Sequence, residues 1–304
     1  MSQRAKKVLI FTGLTFLLDW AMVYLYLALG GTVEGLMLLA LAYMLVPMIV
    51  ALIVQKAIFK EPVTIPLGIS FKMNPWFFVA WFLPIIIVFA VIGVSLLLPG
   101  ISFTPDMSGF FDSLKGSLTP EQLDQARQQL ADLPAHPIWL GVIISLLAGT
   151  TFNALFSFGE ELGWRGLLVK ELGFLGFWKS SLFIGLIWGI WHAPLVLYAG
   201  LNYPAYPQAG VFIMVAWCVI IAPVFSYIRI KARSVIAASI FHGTINAVPA
   251  LAVMMITGGN DLTVGISGLA GFIVFIILDI IIYIYDRFFS KERVNVLLKN
   301  ISLS

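Results

Sequence analysis

The chain is short of charge. Of its 304 residues only 11% are Asp, Glu, Lys or Arg, whereas 61% are hydrophobic. A soluble domain carries roughly a quarter charged residues, because something must face water. The shortage excludes an ordinary water-soluble globule, and a mean hydropathy of +1.00 makes lipid the fitting solvent. Cysteine is nearly missing. Cys218 stands alone, which excludes an intrachain disulfide and any cysteine-based metal cluster. The net charge is only +3, with no basic stripe or tail, so nothing points to a nucleic-acid partner. Histidine is scarce too, with three in all.

What is present in quantity is apolar runs of about 20 residues, the length that crosses the hydrocarbon core at 1.5 Å per residue. Runs near 8–29, 35–54, 76–98, 138–170, 178–199, 210–228, 234–257 and 264–285 predict an all-α membrane bundle of about eight transmembrane helices. The first run follows Arg4, Lys6 and Lys7 but is too long for a signal-peptide core. No A-x-A-like cleavage site follows it, so it reads as a retained helix. The run 138–170, about 33 residues, exceeds a straight span and predicts a helix that tilts or projects. With the N-terminus inside, every Lys and Arg except Lys115 and Arg127 falls on the inner side. That asymmetry predicts a multi-pass protein of the cell membrane with both termini cytoplasmic.

The one sizeable loop, about 99–137, reads as external and acidic: Asp106, Asp112, Glu121, Asp124 and Asp132 outweigh Lys115 and Arg127. Within it Thr119-Pro120-Glu121-Gln122 is a helix start with a capping box. Leu123, Ala126, Leu130 and Leu133 then share a face, which predicts an amphipathic helix over about 119–133 on the outer surface. No repeat or flexible linker is present, so residues 1–304 read as a single membrane domain.

An ionisable side chain in hydrocarbon costs several kcal/mol unless paired or hydrated, so each one requires a reason. Glu161 and Arg165 are four apart and can pair on one helical face. Glu160 points about 100° away and has no evident partner in its own helix; a carboxylate so placed suits general-base work. Asn153 and Ser157 extend the polar side of that helix. The same residues also fit the plain cytoplasmic end of a span, where Glu and Arg cost little. His192 lies in Trp188-Gly189-Ile190-Trp191-His192-Ala193-Pro194, and His242 and Asn246 are four apart on a third helix. Taken singly, each is equally a hydrogen-bonding helix contact. By helical rise, His242 lies about 12 Å, Asn246 about 18 Å, His192 about 21 Å and Glu160 about 15 Å from the inner ends of their helices. The four then share one layer, expected to open to the cytoplasm. His136, before Pro137, reads as a solvated loop residue. Asp19 and Asp279 lie within runs and belong to no motif; they fit either bundle hydrogen bonding or a proton or solute path.

Together the three motifs resemble those of the CPBP family of intramembrane proteases. That family takes in the CAAX prenyl endopeptidases of the Ras-converting type and the bacterial Abi proteins. Its pattern is EExxxR, then (F/Y)xxxH, then His followed four residues later by Asn or Asp. Here these read Glu160-Glu161-x-x-x-Arg165, Trp188-x-x-x-His192 and His242-x-x-x-Asn246. The resemblance covers a core of about 137–257 and departs from the pattern at Trp188, which keeps an aromatic. It implies that Glu160 and His192 activate a water and that His242 and Asn246 stabilise the oxyanion. Glu161 and Arg165 would brace the site, with Trp188 packed beside His192. It also implies a membrane-associated peptide or protein substrate, prenylated at a CAAX-type end or not.

Glu160, His192 and His242 also make a His₂Glu set, a catalytic zinc combination. No HExxH pair is present, and the similar prenyl endopeptidases work without an essential metal, so no cofactor is favoured and zinc is the alternative. Two other functions stay open. One is a non-catalytic bacteriocin-immunity or regulatory membrane protein of the same family. The other is a small-solute transporter, ranked last because no paired repeat or matched broken helices are seen.

Overall fold

In lipid a helix satisfies its own backbone, so apolar runs of this length fold as helices by default. The computed structural model describes residues 1–113 and 119–303. Among these, seven helices are long and apolar enough to cross a membrane, or eight if the one bent pair is a single span. The spans are α1 (Gln3–Ala28), α2 (Val33–Ile58) and α3 (Pro75–Ser95). A short surface helix, α4 (Pro120–Ala131), precedes the bent pair α5 (Pro137–Thr150) and α6 (Phe152–Leu175). Then come α7 (Phe177–Trp191) and its continuation α8 (Ala193–Ala199), α9 (Pro207–Ala232), α10 (Val235–Ala247), α11 (Leu269–Phe288) and α12 (Val294–Leu303). The chain is an all-α polytopic membrane bundle, as the hydropathy predicts.

Three expectations need correction. The run 138–170 is not one tilted helix but is bent by 47° between α5 and α6. At the bend Thr151 leaves helical conformation, with φ −115° and ψ −98°. The Thr150 and Thr151 hydroxyls donate back to the Leu146 and Leu147 carbonyls, an arrangement that bends helices. Past the bend, Leu162–Leu168 widens into a π-helical turn. Secondly, the run 234–257 ends as helix early. After the short helix Leu251–Met254, strand β2 (Ile256–Thr257) pairs antiparallel with β1 (Ser102–Phe103). Thirdly, His136 does more than sit in solvent. Its Nδ1 accepts from the Ile138 N–H at 3.2 Å, capping α5, and its Nε2–H donates to the Pro105 carbonyl at 2.8 Å.

Helix α4 carries the expected capping box: the Thr119 hydroxyl accepts from Gln122 N–H, and the Gln122 side chain accepts from Thr119 N–H. Its Leu123 packs on Met107 and Phe111, so it covers one end of the bundle. Lys115 lies outside the described residues.

The bundle has two unlike ends. At one, Lys7 Nζ bridges Glu61 at 2.5 Å and Glu171 at 2.9 Å, and Lys170 reaches Glu61 at 3.3 Å. Arg233 pairs there with Glu292 at 2.8 Å. The other end holds the β1–β2 pair and the 200–206 loop. That loop is tied down by Ala205 N–H to Asp261 at 3.1 Å and by the Tyr203 hydroxyl to the Ser267 carbonyl at 2.9 Å.

The core sits around α10. Burial covers 67% of the Val235–Met254 window but only 22% of the α1 and α11 windows, which face outward with apolar side chains. Close packing needs small residues. A Cβ on Gly243 of α10 would meet the Ala154 nitrogen of α6 at 2.6 Å, and one on Gly189 of α7 would meet the Val215 Cα of α9 at 2.5 Å.

Candidate active site

Glu160 is the penultimate residue of the α-helical part of α6 and is buried. Among the described residues no cation forms an ion pair with it. Its Oε2 instead accepts two indole N–H groups, from Trp188 at 2.8 Å and from Trp164, one turn along its own helix, at 3.3 Å. Sequence reading found Glu160 without a partner in its own helix; Trp164, four residues on, corrects that. Trp188, expected to pack beside His192, also holds the carboxylate, a bond that Phe at this position could not make.

Glu161 faces the other way and is fully buried. Its Oε1 accepts from Arg165 at 3.0 Å and from His242 Nδ1 at 2.8 Å. The Arg165 guanidinium lies between two rings, 4.3 Å from the Trp188 centroid and 4.4 Å from that of Phe225. Cation–π attraction of this kind is strongest where water is excluded. The pairing expected from the i, i+4 spacing is present, and it also orients His242. A carboxylate only accepts, so His242 carries a proton on Nδ1.

His192 sits at the break between α7 and α8. Its backbone N–H reaches Gly189 O at 3.2 Å, and Pro194 follows in the first turn of α8. The Trp188 carbonyl, freed from its usual i+4 amide, accepts from His192 Nδ1 at 2.8 Å. The ring nitrogen thus replaces a main-chain donor, and Nε2 is left with its lone pair. Trp191 packs edge-on to His192 with centroids 4.7 Å apart.

A cavity of about 230 Å³ is lined by Glu160, His192, His242 and Asn246 together, with Trp188, Trp217 and Phe225 among its apolar walls. The fold therefore brings together all four residues picked out by motif, from α6, the α7–α8 break and α10. Asn246 is exposed and finds no hydrogen-bond partner among the described residues. Asn153, read as part of the same polar face, instead ties α6 to α10 through the Gly243 carbonyl at 3.1 Å.

Residues 134–248 match the family model described as type II CAAX prenyl endopeptidase Rce1-like. Over that stretch the chain is similar to the family. No curated protein matches the chain. The matched stretch runs from just before α5 to just past α10, so it contains every motif residue.

The cavity has one exposed edge, whereas the sequence expected the shared layer to open to the cytoplasm. The exposed members of the lining are Asn202, Asn246 and Pro249. All three lie toward the end that carries the 200–206 loop, away from the basic end.

Several supports of the cavity were not legible in the sequence. The Tyr43 hydroxyl of α2 donates to the Trp191 carbonyl at 2.5 Å, and buried Asp19 of α1 accepts from Trp191 Nε1 at 2.6 Å. Asp19 is thus a bundle contact that fixes the ring beside His192. Asn202, at the rim with φ +64°, was also missed. Asp279 makes no hydrogen bond among the described residues and lies outside the cavity lining.

Proposed function

We propose that the Rce1-like core is an intramembrane endopeptidase that cleaves a membrane-associated peptide with a water activated by Glu160 and His192. The observation that carries this reading is the single cavity lined by Glu160, His192, His242 and Asn246. Glu160 has two indole donors on Oε2, which leaves Oε1 for a water. His192 offers Nε2 as the second acceptor. The water oxygen attacks the scissile carbonyl carbon, its proton passes to Glu160, and Glu160 returns it to the leaving amine as the C–N bond breaks. His242 and Asn246 donate to the oxyanion, each such donor being worth about 3–4 kcal/mol in a dry site. His242 donates from Nε2 with its Nδ1–H still on Glu161.

The zinc alternative of Glu160, His192 and His242 does not fit these side chains as placed. Among the described residues no three His, Cys, Asp or Glu groups are arranged to hold a metal. No step here runs through one. A chelator should leave cleavage unchanged; loss restored by zinc would reverse this choice.

Access belongs to the same proposal. Membrane proteins keep their Lys- and Arg-rich loops cytoplasmic. On that rule the basic end and both termini face the cytoplasm, and the mouth faces the other side of the cell membrane. The scissile segment then enters from the non-cytoplasmic side. The apolar lining suits a hydrophobic residue or a prenyl group. Residues 1–304 act as one domain around the core of about 137–257.

The deciding assay is cleavage of a panel of prenylated and unmodified membrane peptides by purified protein beside Glu160→Gln. Wild type should cleave at least one and Glu160→Gln none. Equal behaviour of the two folded proteins would favour a non-catalytic immunity or regulatory role. Labelling of intact cells with an impermeant thiol reagent tests access: Ala205→Cys should react and Lys291→Cys should not.

A further inference from the structure

Arg229 is buried near the basic end of α9, 2% exposed, with a single hydrogen bond among the described residues, from its Nε to the Arg165 carbonyl at 3.1 Å. Among the described residues no carboxylate pairs with it. A buried cation without a counter-charge is costly, and proteins rarely keep one without a partner. The guanidinium lines a cavity of about 650 Å³ between α9, the Gly68 turn and α12. Arg233, Lys291 and Arg293 line the same cavity against one carboxylate, Glu292. That carboxylate is already spent, since both its oxygens accept from Arg233 at 2.8 and 2.9 Å. Gly68 has φ +72° and no side chain, and a Cβ there would collide with the guanidinium, so the turn is shaped around Arg229.

We infer that this cavity binds a phosphate group, carried by an anionic lipid headgroup or as the free ion. A guanidinium fork with flanking cations matches phosphate oxygens. The position favours lipid as the carrier. The site lies at the basic, membrane-flanking end, and its other lining residues include Ile65, 82% exposed, and Val296, 60% exposed, along which an acyl chain can lie. The site is separate from the Glu160 cavity and does not depend on the proposed protease activity.

The test is native mass spectrometry of the full chain released from micelles that contain phosphatidylglycerol or phosphatidylcholine. Wild type should retain phosphatidylglycerol in preference. Lys291 and Arg293 are exposed, so the double variant Lys291→Ala/Arg293→Ala should fold and lose roughly 25-fold in retention, at the strength usual for two basic side chains near an anionic lipid. Arg229→Gln should lose more, with a thermal melt to establish that it folds. If millimolar inorganic phosphate displaces the lipid, the free ion is the occupant; if it does not, the lipid is. Equal retention of the two lipids by wild type, or undiminished phosphatidylglycerol on the double variant, would overturn the inference.

Discussion

Glu160 and Glu161 are adjacent in the chain and both are buried, yet they belong to two different layers. Glu160 lines the cavity and is held by neutral indole donors that leave its charge uncompensated and one oxygen unspent. Glu161, beneath the cavity wall, is held by Arg165 and His242. The difference lies in the type of partner, not in the degree of burial. A carboxylate bound by a cation is structural material, whereas one bound by dipoles is still available to take a proton.

Glu160→Gln should give the largest effect. It keeps shape and can still accept from the indoles, so cleavage should fall by about 10²–10⁴ while unfolding in detergent titrations stays close to wild type. Glu161→Gln should do the reverse first. It leaves Arg165 buried and unpaired, a loss of about 3–5 kcal/mol of stability that the same unfolding titration would register. If Glu161→Gln proved stable and Glu160→Gln did not, the two layers would have been assigned the wrong way round.

A finer test lies in Trp188. Trp188→Phe removes the N–H to Glu160 and should cost about 1.5–3 kcal/mol, the range for hydrogen bonds to charged groups, read as a fall in cleavage rate. The smallest effect belongs to the basic end. Burial pushes the Glu61 carboxyl up, but the hydrogen bond from Lys7 and the charges of Lys170 and Lys7 outweigh it and hold the group below the ordinary 4.5. A carboxyl lowered on folding adds stability above its unfolded value, and that stability is lost as pH falls through the folded one. Acid titration below pH about 4.5 should therefore remove at most about 1 kcal/mol, and Glu61→Gln should abolish that slope without touching cleavage.

Much of this was legible in the chain because hydropathy and i, i+4 spacing are local. The apolar runs became seven long helices and one bent pair, and Glu161–Arg165 paired as its spacing requires. The breaks were not legible. At Thr151 and His192 a side chain takes over a main-chain hydrogen bond, and nothing in an apolar run announces that exchange. Strands two residues long have no period to read. The Asp19–Trp191 bond joins residues 172 apart, a distance no window spans.

The widened turn Leu162–Leu168 has a consequence for how this chain tolerates change in length. Such a turn holds one residue more than the α-helix around it. Deleting a single residue there, Leu167 for example, could relax the bulge to ordinary helix instead of breaking it. Residues downstream would then keep their helical phase, with Lys170 still facing Glu61 and Glu171 facing Lys7, because the bulge itself had absorbed the extra residue. The bulge thus behaves as an inserted residue that the helix has absorbed, so a deletion at this one turn is tolerated where the same deletion in regular α-helix would rotate everything downstream by about 100°.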